Sequence, residues 1–200
     1  MGRGGFEKAL HEALAGPLEA GGGCVQLLAE ARFSFKASVA LLVILLRDYD
    51  MDGVVISVAK SSEMYRRVLS RRVATRHPPY YIEVQASPAD AGGDAADRVE
   101  LSAFDLDRID TAVRMGLHRA GERFGGERHF VLLDDLTAIE AYNGPAVVQR
   151  FVRRFFGELS ALNIFCFVVL PETLAGGLLG VLPFSHTERI CVRSEWFAWG

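Results

Sequence analysis

The sequence has few of the residues on which metal-dependent or disulfide-bonded domains rely. Its 200 residues include three cysteines and five histidines, and the histidines lack the i, i+4 pairing that suits zinc. Cys24, Cys166 and Cys191 lie far apart among apolar neighbours, which predicts small core residues in a reducing compartment. We therefore expect neither a disulfide framework nor a zinc site. The sequence also has no G-x-S-x-G nucleophile motif.

Long apolar runs and an excess of one charge are missing too. The longest apolar run covers residues 39–46, whereas a helix that crosses a bilayer needs about 20 such residues. The N-terminal residues show no apolar core typical of a signal peptide, and the formal net charge is −3. We expect a cytoplasmic protein with no membrane span. The near balance of charge argues against nucleic acid as the main partner.

What the sequence does contain is an alternation of short and long apolar segments. Half of the residues are hydrophobic and 24% are charged, as in one ordinary domain over residues 1–200. Short segments predict six strands, at 24–29, 54–58, 80–84, 129–133, 164–170 and 189–192. Longer segments between them predict helices, among them 35–47 and 63–72. Apolar strands that alternate with helices indicate an α/β fold whose parallel sheet is covered on both faces.

Three segments fall outside this alternation. Residues 1–23 predict an N-terminal helix and a Gly-rich lead-in to the first strand. Residues 85–100 are rich in Ser, Pro, Asp, Ala and Gly and predict a flexible surface loop. Residues 186–200 predict a C-terminal edge strand or a tail.

Aromatic residues at the ends of segments are candidates for contact with a partner. Tyr80, Tyr81 and Tyr142 stand at such ends and are expected to be exposed. The C-terminal segment adds three interaction candidates, Trp196, Phe197 and Trp199. An apolar tail of this kind suits a docking strand or hook. The alternative is a last edge strand that folds onto the chain's own sheet.

Several segments resemble KaiC-like members of the RecA superfamily. Residues 6–29, FEKALHEALAGPLEAGGGCVQLLA, are similar to the helix and Gly-rich turn before that family's first core strand. Residues 130–144, FVLLDDLTAIEAYNG, resemble its Walker B strand, which ends in aspartate. The next helix and the strand IFCFVVLPE are also similar, so the resemblance covers nearly the whole chain. It implies a RecA-like three-layer sandwich with strand order about 3-2-4-5-1-6, and an archaeal source.

The phosphate-binding loop of that family is not matched. Glu30 and Phe35 stand at the two glycine positions of the pattern G-x-x-x-x-G-K-[ST]. Lys36 falls on the lysine, Ala37 falls on the hydroxyl position, and Ser38 follows one residue later. Because a glutamate repels a polyphosphate, this departure argues against ordinary nucleotide binding.

A second departure concerns catalysis. KaiC-like ATPases have a pair of glutamates after the second strand, which the resemblance assigns to activation of the attacking water. This sequence has Ala59 and Lys60 there. Without a general base, hydrolysis as that family performs it is not expected.

Four residues remain as vestigial nucleotide-binding candidates: Lys36, Ser38, Asp134 and Asp135. Asp134 would hold Mg²⁺ through water if a nucleotide bound. Otherwise we expect Asp134 to cap a turn or to pair with a cation, and an ion pair with Lys36 in place of the metal and phosphate is our specific prediction. Asp135 is expected to be a plain N-cap of the next helix.

The sequence therefore predicts a pseudo-ATPase that needs no cofactor and regulates or scaffolds a protein partner or a second copy, as in signal transduction. The alternative is a divergent ATP-binding protein, or an ATPase that needs a partner's residues. A third reading is a nucleic-acid-associated module that uses three arginine clusters, at residues 66–67, 71–76 and 150–154. With acidic residues interspersed, these clusters more simply indicate solvated helix faces.

Overall fold

The computed structural model describes residues 5–19, 23–58, 60–74, 78–85, 97–103, 105–124, 128–174 and 187–193. The helices are α1 (Gly5–Glu19), α2 (Ser34–Arg47), α3 (Ser62–Leu69), α4 (Leu106–Phe124), α5 (Leu136–Asn143) and α6 (Pro145–Ala161). The strands are β1 (Cys24–Ala29), β2 (Asp52–Val58), β3 (Tyr80–Gln85), β4 (Arg98–Ser102), β5 (His129–Asp134), β6 (Phe165–Pro171) and β7 (Thr187–Val192). Short 3₁₀ turns lie at Ala31–Phe33 and Glu172–Leu174.

The described strands form one parallel sheet in the order β4-β3-β2-β5-β6-β1-β7. In the numbering of the six predicted strands this order reads 3-2-4-5-1-6, with β4 added outside the third strand. Leu133 pairs with Val168 across the central strands β5 and β6. The predicted α/β fold and strand order are confirmed.

Strand β4 corrects the prediction of a loop over residues 85–100. Residues Arg98–Ser102 pair with β3 at the edge of the sheet, and the Leu101 side chain is buried. The strand escaped prediction because it is short and alternates charged with apolar residues, as solvent-facing edge strands do. Residues 86–96 lie outside the described part of the chain.

The sheet carries helices on both faces, which makes three layers. Helices α1, α2 and α3 pack on one face, and α4, α5 and α6 pack on the other. Helix α2 is apolar almost all round because it lies between the sheet and α1, with every residue from 39 to 46 buried. None of the helices among the described residues is long and apolar enough to cross a bilayer.

Two predictions of exposure and burial were wrong. Tyr80 and Tyr81 are buried on opposite faces of β3 and contribute to the two cores, whereas Tyr142 is exposed as expected.

Cys191 is exposed on the edge strand β7, since one face of that strand is open in the described residues. Cys24 and Cys166 are buried as predicted, and burial raises the pKa of Cys24 to about 12. The tail candidates Trp196, Phe197 and Trp199 lie outside the described residues.

Candidate functional site

The predicted site residues lie where parallel strands end, at the carboxyl edge of the sheet. In such folds ligands bind beyond this edge. Four residues separate β1 from helix α2, Lys60 follows β2, and Asp134 is the last residue of β5. The topology therefore brings three separate segments of the sequence to one place.

The Asp134 cluster consists of Asp134, Ser38, Lys60 and Tyr65. Asp134 is fully buried, and the Lys60 Nζ lies 2.8 Å from its Oδ2. The Ser38 hydroxyl donates to Oδ1 at 3.1 Å, and the Tyr65 hydroxyl donates to Oδ2. One carboxylate is thus compensated by one ammonium and two hydroxyls, which is the condition for burying a charge at tolerable cost.

The positions of Lys60 and Tyr65 follow from the turn after β2. The Ser57 hydroxyl donates to the Lys60 carbonyl at 2.8 Å, and Ser57 is the register neighbour of Asp134 in the sheet. This contact folds the chain back so that Lys60 lies over β5. Burial, and next the charge of Asp134, raise the pKa of the Tyr65 hydroxyl well above its ordinary value. Tyr65 therefore stays protonated and donates its hydrogen bond.

The ion pair predicted between Lys36 and Asp134 is formed by a different lysine. Lys36 lies on the exposed side of the first turn of α2, with its ammonium 5.9 Å from the centroid of the Phe33 ring. Ser38 lies two residues later and points inward to Asp134. Residues at i and i+2 of a helix do not share a face, so α2 presents the serine to the cluster and turns the lysine away.

A short 3₁₀ turn occupies the place of a phosphate-binding loop. The Phe33 amide donates to the Glu30 carbonyl at 2.7 Å, and the Arg32 guanidinium pairs with the Glu30 carboxylate at 2.8 Å. The Phe35 ring packs edge-on against Tyr65, with ring centroids 5.1 Å apart. The turn is therefore closed by its own hydrogen bond and carries an exposed carboxylate.

These residues do not fit a magnesium nucleotide bound as the family resemblance implies. A phosphate loop needs backbone amides that face the phosphate, and the turn before α2 directs the Phe33 amide to Glu30. Magnesium needs carboxylate oxygens within reach of water, and Asp134 is fully buried under Lys60. Among the described residues, no three His, Cys, Asp or Glu side chains group as a metal site.

Asp135 has the predicted capping role. It adopts a left-handed backbone with φ of 71°, and its Oδ1 accepts from the Thr137 amide at 3.1 Å. That bond satisfies one of the free N–H groups at the start of α5. Asp134 faces the cluster, and Asp135 caps the next helix.

A second buried carboxylate, Glu83, was missed by the sequence analysis. Ser61, at the N-cap position of α3, makes no side-chain capping bond. The Glu83 Oε1 accepts from the Ser62 amide at 2.7 Å instead, and the Arg98 guanidinium lies 3.8 Å from that oxygen. The available signal was a glutamate between the apolar residues Ile82 and Val84 of β3, since a buried carboxylate needs a partner.

Comparison with known proteins establishes the fold and no more. A KaiC-like protein from the hyperthermophilic archaeon Pyrococcus horikoshii superposes with a TM-score of 0.52 at 10% identity, over 86% of this chain and 72% of that one. A second protein of the same archaeon superposes with a TM-score of 0.54 at 9% identity, over 88% of this chain and 83% of the other. No protein-family model and no curated protein matches the sequence. The chain therefore has a KaiC-like, RecA-type fold.

Proposed function

We propose that this chain is a pseudo-ATPase, a RecA-type domain that neither binds magnesium nucleotide nor hydrolyses it. One observation carries the proposal: the Lys60 ammonium lies 2.8 Å from the buried Asp134 carboxylate. The resemblance assigns a metal to that aspartate, and a protein cation stands there instead. The Ser38 and Tyr65 hydroxyls donate the other hydrogen bonds to the Asp134 carboxylate.

Electrostatics supports this assignment. A divalent cation that approached Asp134 would meet the Lys60 charge at close range and in a medium that screens poorly. It would also have to compete with two hydroxyl donors already in place on the same carboxylate. Binding therefore requires that Lys60 leave its buried partner, and separating such a pair is costly.

The same lysine argues against hydrolysis. At the place where the family resemblance expects a glutamate base, this chain offers a side chain whose ammonium donates to a carboxylate. A group in that state does not take a proton from water. The domain is then left with its surfaces, and we propose that it acts as a regulatory or scaffolding module for a protein partner or a second copy.

Calorimetric titration of ATP and ADP, each with Mg²⁺, tests the first part of the proposal. We expect no binding heat up to millimolar nucleotide and no phosphate release above buffer. Lys36→Ala serves as the matched variant, because Lys36 is the residue that a surviving nucleotide site would use. Micromolar binding that Lys36→Ala abolishes would overturn the proposal.

Sedimentation of the intact protein tests the interaction role. We expect self-association that weakens when Trp196 and Trp199 are both replaced by alanine, because an apolar tail suits docking. Met115→Ala is the control, since it removes an exposed apolar side chain of α4 that is not among the interaction candidates. A monomer at all concentrations would overturn the second-copy reading and would leave a different protein as the partner to be sought.

A further inference from the structure

A cleft of about 280 Å³ opens beside the Asp134 cluster, on its far side from α2. It lies between the carboxyl ends of β2 and β5. The helices that follow these strands, α3 and α5, pack on opposite faces of the sheet. Crevices at such a divergence of neighbouring strands are the usual ligand sites of open α/β sheets. The cleft is lined by Val58, Lys60, Ser61, Val84, Gln85, Ala103, Ala138 and Tyr142.

The lining divides into an apolar floor and a polar rim. Val58 and Val84 are buried strand residues that form the floor with Ala103, and Ala138 closes one side from α5. This wall is fixed in place: the Asn143 amide donates to the Ala103 carbonyl at 2.7 Å and to the Ile139 carbonyl at 3.0 Å. The cleft is therefore preformed between β4 and α5.

Two polar residues that are adjacent in the chain, Lys60 and Ser61, line the cleft. The Ser61 hydroxyl makes no capping bond to α3 and is exposed. Lys60 has 19% of its side chain exposed, and one of its three ammonium hydrogens is used by Asp134. An ammonium has further donors to offer, and a carboxylate is the acceptor it binds best.

From this arrangement we propose that the cleft binds a small carboxylic acid with a short apolar tail. The carboxylate of the ligand accepts from Lys60 and Ser61, and the tail lies on Val58, Val84 and Ala138. The cleft volume of about 280 Å³ lies just below the usual range of about 300–1,000 Å³ for ligand pockets and suits a metabolite of a few carbons. Asp134 and the ligand then share Lys60 from opposite sides.

Titration of the ¹⁵N-labelled protein with sodium hexanoate tests the proposal. We expect saturable shifts of the Ser61, Gln85 and Ala103 amides. Hexanamide, which has the same tail and no charge, should bind about tenfold more weakly. In Ala138→Leu, which fills the cleft without touching the ion pair, the affinity for hexanoate should fall about tenfold or more. Ala141→Leu makes the same change at an exposed position of α5 outside the cleft and should bind as the wild type does.

Each contrary result overturns a defined part of the proposal. Absence of saturable shifts removes the site, and equal affinity for hexanoate and hexanamide removes the assignment of Lys60 as the carboxylate donor. Unchanged affinity in Ala138→Leu places the binding elsewhere. No nucleotide or metal enters the experiment, so its failure leaves the pseudo-ATPase proposal standing, and failure of that proposal leaves this one standing.

Discussion

Two buried carboxylates, Asp134 and Glu83, lie one strand to either side of Ser57 on the same face of the sheet. They are compensated in different ways. Asp134 is held by side chains alone, from α2, the turn after β2, and α3. Glu83 is held by a backbone amide at the start of α3, with Arg98 further away at 3.8 Å.

We infer that the contacts of Asp134 could be exchanged for a metal ion, whereas those of Glu83 only stabilise the fold. The Asp134 carboxylate is surrounded by side chains, and the Lys60 ammonium takes the position that a bound cation would take. A carboxylate on a helix N-terminus completes the backbone hydrogen bonds of that helix and complements its dipole. Perturbing the Asp134 cluster should therefore expose a response to metal ions, and perturbing Glu83 should affect stability alone.

The largest effect is expected from Lys60→Met, which leaves Asp134 buried without a cation. Removing one partner of a buried pair costs about 3–5 kcal/mol of unfolding free energy, measurable by urea unfolding. Because no ammonium then competes for the carboxylate, Mg²⁺ should raise the melting temperature of this variant and not that of the wild type. Lys36→Met, at an exposed lysine of α2, is the control and should be nearly neutral.

A double variant separates the ion pair from simple packing. If the cost of Lys60→Met comes from the stranded carboxylate, Lys60→Met combined with Asp134→Leu should be more stable than Lys60→Met alone. It should also lose the response to Mg²⁺. A double variant less stable than both single variants would mean that Lys60 contributes through packing and that Asp134 and Glu83 do not differ as proposed.

Tyr65→Phe should have the next largest effect. It removes a hydrogen bond to a charged acceptor, which costs about 1.5–3 kcal/mol. Burial raises the pKa of Tyr65 in the folded state, so its contribution is complete below the ordinary tyrosine pKa of about 10 and is lost as the pH rises above it. Thermal melting across that range should show a steeper alkaline decline for the wild type than for Tyr65→Phe. Tyr142→Phe, at an exposed tyrosine, should decline as the wild type does.

The sequence predicted features that depend on neighbouring residues along the chain, and it did not predict contacts that depend on how the elements pack. Helix α2 was found because its apolar run is continuous, and the strand order came from a resemblance that spans the chain. Which lysine meets Asp134 depends on the rotation of α2 and on the turn at Ser57, and neither is encoded in a short motif. Helical spacing alone did contain a warning, because Lys36 and Ser38 cannot both face the same carboxylate.

Glu83→Gln should have a smaller effect than either change at the Asp134 cluster. Glutamine keeps an oxygen that accepts from the Ser62 amide, and the variant loses only the charge at the start of α3 and its attraction to Arg98. A charge at a helix terminus contributes about 0.3–1 kcal/mol, and up to about 2 when partly buried. Urea unfolding with and without Mg²⁺ measures the loss of unfolding free energy and any stabilisation by the ion. A gain in stability from Mg²⁺ in this variant would remove the distinction between the two carboxylates.

The smallest effect is expected from Glu30→Gln, in the turn before α2. Glu30 pairs with Arg32 at the surface, and exposed pairs contribute about 0–1 kcal/mol. The informative readout is nucleotide binding, because this change removes the carboxylate that repels phosphate while Lys60 stays on Asp134. If Lys60 is the obstacle, calorimetry with Mg²⁺-ATP stays silent in Glu30→Gln. If binding heat appears, the Glu30 carboxylate alone had excluded nucleotide, and the Asp134 cluster is then a stabilising element of the same kind as Glu83.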